Sequence, residues 1–243
     1  MKSKKIIEFK KEIKFLSNKK RAKNSQRFFK TGSGEYGEGD VFLGIKTPIQ
    51  RKIAKKYNDF NFQELKELLK SNIHCYRFIA LIILIDKFGK SKEKEKKKIF
   101  NFYLKNIKGI NNWDLVDISA PKILGNYLLN KNKNLLFLLA KSKNLWKKRI
   151  AIISTYQFIE NNLFQPTFKI AELLLHDEHD LIHKAVGWML REVGNRNQET
   201  EEIFLKKYVN FMPRTMLRYA IEKFSKNKRI FYLSQKQIKF DEK

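Results

Sequence analysis

The sequence predicts an all-α protein built of repeated helix pairs, and three observations carry that prediction. Proline occurs only at 48, 121, 166 and 213, and five of the ten glycines fall between Gly32 and Gly44, so the rest of the 243 residues holds few breakers and long helices are expected. Apolar residues recur at helical spacing between charged ones, whereas the strict alternation of a half-buried strand is nearly absent. Ala80, Ala120, Ala151 and Ala185 follow one another at intervals of 40, 31 and 34 residues, each near the start of an apolar helix. A small residue there lets one helix approach its neighbour closely, and a period of that length suits a HEAT-like solenoid of stacked antiparallel pairs.

Taken in order, Ile6, Ile7, Ile13 and Leu16 mark the first amphipathic helix. Thr31 to Pro48 is the long loop. It has the glycines of a phosphate cradle but not its Gly-Lys-Ser/Thr ending, follows no strand, and carries Glu35, Glu38 and Asp40, which repel phosphate. A flexible connector is the expectation. Helices should then open at Thr47-Pro48, at Asn61 before Phe62, Leu65, Leu68 and Leu69, at Asn111-Asn112, at Pro166 and at Met212-Pro213, where proline or a capping side chain precedes a periodic run. Ile150, Ile153 and Tyr156, and Val186, Met189 and Leu190, mark two more, in a total of roughly a dozen.

Composition narrows the function. Fifty-two Lys and Arg against 25 Asp and Glu give a net charge of +27, which favours a polyanionic partner, nucleic acid or an anionic membrane surface, through counterion release. Only 10 of the 52 are Arg, so a general lysine bias is the competing explanation. With 42% hydrophobic residues the chain can bury a large core, which excludes intrinsic disorder. The single Cys75 excludes an intramolecular disulfide and a cysteine-based zinc site, and fits a reducing, cytoplasmic location. The longest apolar run, Phe78 to Ile85, is far short of the ~20 residues that cross a bilayer, and the basic N-terminus lacks the apolar stretch of a signal peptide.

Three constellations could carry chemistry. His179 and His183 share a helical face at the spacing of zinc ligands, but Asp180 stands where a metalloprotease needs Glu, and no later His supplies a third ligand. A helix N-terminus with acids in its first turn explains the same residues without a metal. In Asn112-Trp113-Asp114-Leu115-Val116-Asp117, a helix starting near Trp113 puts Trp113 and Asp117 one turn apart, with Leu115 and Val116 turned to the core. The plain alternative is that Trp113 fills the core and Asp114 or Asp117 is an N-terminal charge. Arg149, after Lys147-Lys148, is a better phosphate fork than a lysine, and Trp188 lies in a stretch, residues 160 to 202, with four basic residues against nine acidic. In a solenoid these side chains would line one concave, basic groove.

These segments resemble the HEAT-repeat, AlkD-like family of DNA alkylation repair glycosylases. The resemblance rests on Phe42 to Pro48 with Gln50-Arg51, on Asn112 to Asp117, on Arg149 to Ile152, on His183 to Gly194 and on Met212 to Glu222, and runs from about residue 5 to 225, leaving 226–243 as an extension of a single domain. Cys75-Tyr76-Arg77 departs from a Glu-Tyr-Arg type string, so Cys75 is expected simply to pack, and Lys87 to Lys98 and the tail after Arg229 read as surface variation. The resemblance implies that Trp113 and Trp188 flank the damaged nucleotide, that Asp117 is the essential carboxylate, and that Arg149 holds the DNA backbone. Lys147, Lys148, Lys184, Arg51, Arg214 and Arg218 would join Arg149 in binding DNA. The implied reaction is hydrolytic release of cationic N3- or N7-alkylated purines, such as 3-methyladenine and 7-methylguanine, from duplex DNA without flipping the base. It would leave an abasic site, with no strand cleavage, since no lysine sits beside Asp117. No metal, cofactor or membrane is expected, and the protein should be a monomer. A non-catalytic HEAT-like binder of damaged or branched DNA is the alternative.

Overall fold

The computed structural model describes residues 3–238. Among these residues all regular structure is helical, and the one β feature is an isolated bridge between Val41 and Ile73. The chain divides into two compact units, residues 1–119 and 120–243.

The first unit contains α1 (Lys4–Phe15), α2 (Lys19–Phe28), α3 (Thr47–Lys56), α4 (Phe62–Leu69), α5 (His74–Lys90), α6 (Glu93–Lys105) and α7 (Trp113–Ala120), whose last residue opens the second unit. α5 is apolar over most of its circumference and forms the centre, with α3, α4 and α6 packed around it. α1 closes the core with Ile6, Phe9 and Ile13, all fully buried, and the Phe9 ring meets Tyr57, Phe60 and Tyr76 edge-on. Helix starts fall where the caps predict. Pro48 lies in the first turn of α3, and Asn61 forms a capping box with Glu64, accepting from the Glu64 N–H while the Glu64 carboxylate accepts from that of Asn61.

The Thr31 to Pro48 loop is tied down rather than a flexible connector. Asp40 is buried, with its carboxylate 2.6 Å from Arg77 Nη2 and 3.0 Å from Asn112 Nδ2. Val41 bonds through its backbone to Asn72 and His74, both at 2.9 Å. A carboxylate expected to repel phosphate is instead neutralised inside the fold. Gly44 makes a close approach possible: at φ +71°, a Cβ there would lie 2.2 Å from the Asn18 carbonyl oxygen.

From Ala120 the second unit runs into a π-helical turn (Pro121–Gly125) and continues through α8 (Asn126–Leu128), α9 (Asn134–Ala140), α10 (Leu145–Ser154), α11 (Tyr156–Ile159), α12 (Gln165–Leu173), α13 (Asp180–Gly194), α14 (Gln198–Tyr208), α15 (Arg214–Ala220) and α16 (Lys226–Ser234). α13 is its centre, touching α10, α11, α12, α14 and α15. It approaches α15 so closely that a Cβ on Gly187 would fall 2.4 Å from the Met216 carbonyl oxygen.

Two details differ from expectation. Ala80, Ala120, Ala151 and Ala185 are all fully buried in α5, α7, α10 and α13, but inside or at the end of their helices, because close approach happens where helices cross. The helices are also shorter than the scarcity of breakers suggested. Only α5, with 17 residues, and α13, with 15, are long, since asparagines such as Asn18, Asn61, Asn144 and Asn197 restart the chain with capping side chains. Part of the segment after Arg229 is structural. Tyr232 of α16 is buried, and Arg214 donates to the carbonyls of Leu233, at 2.8 Å, and Gln235, at 3.1 Å. No helix among the described residues is long and apolar enough to cross a membrane.

Candidate functional site

In the first unit, α7 is fixed by what precedes it and what lies beneath it. The Asn112 side chain accepts from the Trp113 N–H at 2.8 Å, and its carbonyl accepts from the Val116 N–H at 3.1 Å, so the helix begins at Trp113. Leu115 and Val116 are fully buried, and the buried Ser119 hydroxyl meets Tyr103 Oη at 2.9 Å. Trp113 and Asp117 therefore stand one turn apart on the half-buried side of the helix. Pro121 has no N–H to offer the Asp117 carbonyl four residues back, and the ladder widens to π spacing over Pro121–Gly125.

Trp113 belongs to an aromatic ladder. Its indole stacks on Phe29 at 5.1 Å between ring centres, Phe29 on Phe42 at 4.7 Å and Phe42 on His74 at 4.4 Å. His74 Nε2 in turn lies 2.9 Å from the Asp114 carboxylate. Asp114 is thus a structural acid in the first turn. Phe28, 65% exposed, sits edge-on to Trp113.

In the second unit, α10 starts at a cap in which Asn144 accepts from the Lys147 N–H at 3.0 Å. Arg149 is buried, and its Nη1 donates to the Leu181 carbonyl at 2.5 Å. Trp146 is buried, Lys147 is half-exposed, and Lys148 pairs with Asp177. On α13, Trp188 is half-buried, donates from Nε1 to Glu192 at 3.0 Å and lies 6.4 Å from the Tyr156 ring.

The histidine pair serves the helix. His179 is the N-cap of α13, its Nδ1 accepting from the Leu181 N–H at 3.1 Å, a bond that requires the unprotonated ring. Burial lowers its pKa in agreement, against the opposing pull of Asp177 and Asp180. His183 bonds through Nε2 to the Asp177 carbonyl. Among the described residues no group of three or more His, Cys, Asp or Glu could hold a metal ion.

A profile of DNA alkylation repair enzymes matches residues 9–224. The chain belongs to that family. The match includes all four residues singled out for chemistry and extends into the 3₁₀ turn at Ile221–Lys223. In fold, this family member is similar to a solved structure described as a predicted DNA alkylation repair enzyme from Enterococcus faecalis, with a TM-score of 0.67 at 18% identity, covering 87% of this chain and 98% of that one. No curated protein matches. Family membership places the protein in the repair of alkylated DNA.

The basic residues proposed to bind DNA are not equivalent in this family member. Arg51 is exposed with its guanidinium 5.9 Å from the Phe78 ring centre, and Arg218 is exposed. Arg214 caps α16, Lys148 holds Asp177, and Lys184 pairs with Asp180 at 2.7 Å. Sequence reasoning missed the Phe29, Phe42 and His74 ladder and the Asp40, Arg77 and Asn112 network. The loop residues Phe42 and Asp40 stood in the sequence as a family string and as a repelling charge, with no periodicity linking them to α7.

Proposed function

We propose that the protein is a monofunctional DNA glycosylase that hydrolyses the N-glycosidic bond of cationic N3- or N7-alkylated purines in duplex DNA. One observation carries this reading: the family match over residues 9–224 spans Trp113, Asp117, Arg149 and Trp188, the residue types the reaction needs. Alkylation at N3 or N7 puts a positive charge on the purine, so the base leaves with the bonding electron pair and needs no general acid. The difficult part is the sugar, which becomes an oxocarbenium ion. The Asp117 carboxylate stabilises that cation and orients the water whose oxygen bonds to C1′, with the water proton passing to the carboxylate or solvent. The Trp113 and Trp188 indole faces favour the positive charge of lesion and sugar by about 0.5–2 kcal/mol each. Neutral purines gain nothing comparable. Arg149, buried and anchored on Leu181, acts as a fixed cation toward the phosphate backbone rather than as a mobile clamp. The products are a free alkylpurine and an abasic site, and the working form is a monomer.

The test is release of free base from duplex DNA carrying N7-methylguanine, with and without chelator, by wild type and Asp117→Ala. Wild-type release that persists with chelator, and an Asp117→Ala protein that binds the duplex without releasing base, are expected. A wild type that binds DNA in a salt-sensitive way but releases nothing would replace the glycosylase with a non-catalytic binder of damaged or branched DNA.

A further inference from the structure

We propose that the first unit carries a phosphate-binding cleft that is separate from Trp113 and Asp117 and requires no base excision to be tested. The cleft, of about 430 Å³, opens between the Gly39–Asp40 turn, the α4–α5 connection and the end of α6 with its 3₁₀ turn (Ile107–Gly109). That volume lies within the range of small-ligand clefts. Lys70, Lys105 and Lys108 stand around it, all exposed, and none has an acidic partner among the described residues.

Arg77 lines the same cleft, 2% exposed. Nη1 donates to the Ser71 carbonyl at 2.8 Å and Nη2 to Asp40 at 2.6 Å, while its Nε is buried and has no acceptor. That N–H is closed off from solvent, so Arg77 acts on an anion in the cleft through its charge and not through a hydrogen bond. Asn111 also lines the cleft, and its buried Oδ1 has no hydrogen-bond partner.

Charge favours an anion. The cleft holds four cations, the three lysines and Arg77, against the carboxylates of Glu38 and Asp40, for a balance of +2. Neither carboxylate opposes the anion strongly. Asp40 is buried in its bonds to Arg77 and Asn112, and Glu38 accepts from the Gly34 N–H at 3.0 Å. Flexible ammonium groups on a rim, with a planar guanidinium beneath, suit the tetrahedral, multiply acceptor phosphate better than a flat carboxylate. The phosphate belongs either to a DNA backbone or to a free phosphate ester.

The experiment compares wild type, Lys70→Gln/Lys105→Gln/Lys108→Gln, and a control, Lys92→Gln/Lys94→Gln/Lys97→Gln, which removes as many exposed charges from the start of α6. Each is titrated with inorganic phosphate, followed by amide NMR shifts at Gly39, Asn72 and Gly109, and with undamaged duplex DNA over a range of salt. Saturable shifts in wild type and control that vanish in the cleft variant establish the site. If the source is DNA, the cleft variant's slope of log K against log salt also falls by about 2–3, roughly 0.9 per phosphate contact, and beyond the control's. An unchanged slope with lost phosphate binding assigns a free phosphate ester. Unsaturable shifts, or identical behaviour of the two triple variants, overturn the proposal. Absence of base release by wild type would sink the glycosylase reading and leave this one standing.

Discussion

Glu201 should make the protein less stable as pH rises, and replacing it by glutamine should remove that dependence. The side chain sits in the first turns of α14, fully buried, and neither carboxylate oxygen has a hydrogen-bond partner. It lies against Gly194, where a Cβ would fall 1.7 Å from Oε2. Burial, and then the nearby Glu202, push its pKa from 4.5 up to about 9 against the pull of Arg191. Above pH 4.5 the unfolded chain gives up this proton while the folded one keeps it, so stability falls between the two pKa values by about 1.4 kcal/mol per pH unit and levels off above about 9. At pH 7.5, three units above the unfolded value, the loss is about 4 kcal/mol. Urea unfolding of wild type and Glu201→Gln from pH 5.5 to 8.5 measures it, since a constant offset from the new amide NH₂ drops out of the slope. The stability difference should widen in favour of the variant by about 1.4 kcal/mol for each unit. Parallel pH profiles would refute the reasoning and mean that the folded protein holds Glu201 charged.

Three further outcomes follow from packing. Asp40→Ala leaves the buried Arg77 guanidinium without its carboxylate, and should cost about 3–5 kcal/mol in urea unfolding, whereas loss of an exposed charge such as Glu38 should change stability by less than about 0.5 kcal/mol. Gly187→Ala forces a methyl to within 2.5 Å of Tyr219 Cβ and should destabilise by about 1–3 kcal/mol through displacement of α15, visible as a lowered unfolding midpoint. Cys75, buried with its thiol pKa pushed up to about 12 by desolvation, should not react with a thiol reagent at pH 8 until the protein unfolds, and rapid native modification would contradict its placement.

Periodicity and caps made much of the fold legible. The starts at Pro48, Asn61, Asn112, Pro166 and Pro213 are local chemistry, and the structure places α3, α4, α7, α12 and α15 there. The one-turn relation of Trp113 and Asp117 followed from the burial of Leu115 and Val116 between them, which is also local. Contacts made over long sequence separations were not legible. Asp40, Arg77 and Asn112 stand 37 and 35 residues apart, and nothing in the sequence distinguishes a buried, paired Asp40 from the exposed Glu38 two positions earlier. Arg149 stood out as a phosphate-fork candidate because arginine is scarce beside lysine, but its bond to the Leu181 carbonyl, 32 residues away, was not legible.

Those long-range contacts fix where α7 begins and how Trp113 is held. The Asp40 carboxylate is shared between Arg77 and Asn112, and Asn112 also receives the first N–H of α7, so a loop, the central helix α5 and the start of α7 meet at one buried group. Phe29 then holds the Trp113 ring nearly parallel, at 10° between planes, while Phe28 abuts its edge. On the proposed glycosylase reading, an indole held from its helix start and across its face has few rotamers left to lose when a cation arrives, so more of its attraction would reach the transition state. Phe29→Ala should therefore weaken base release more than binding of intact duplex. Equal weakening of both would mean that the ladder supports the fold and not the orientation of Trp113.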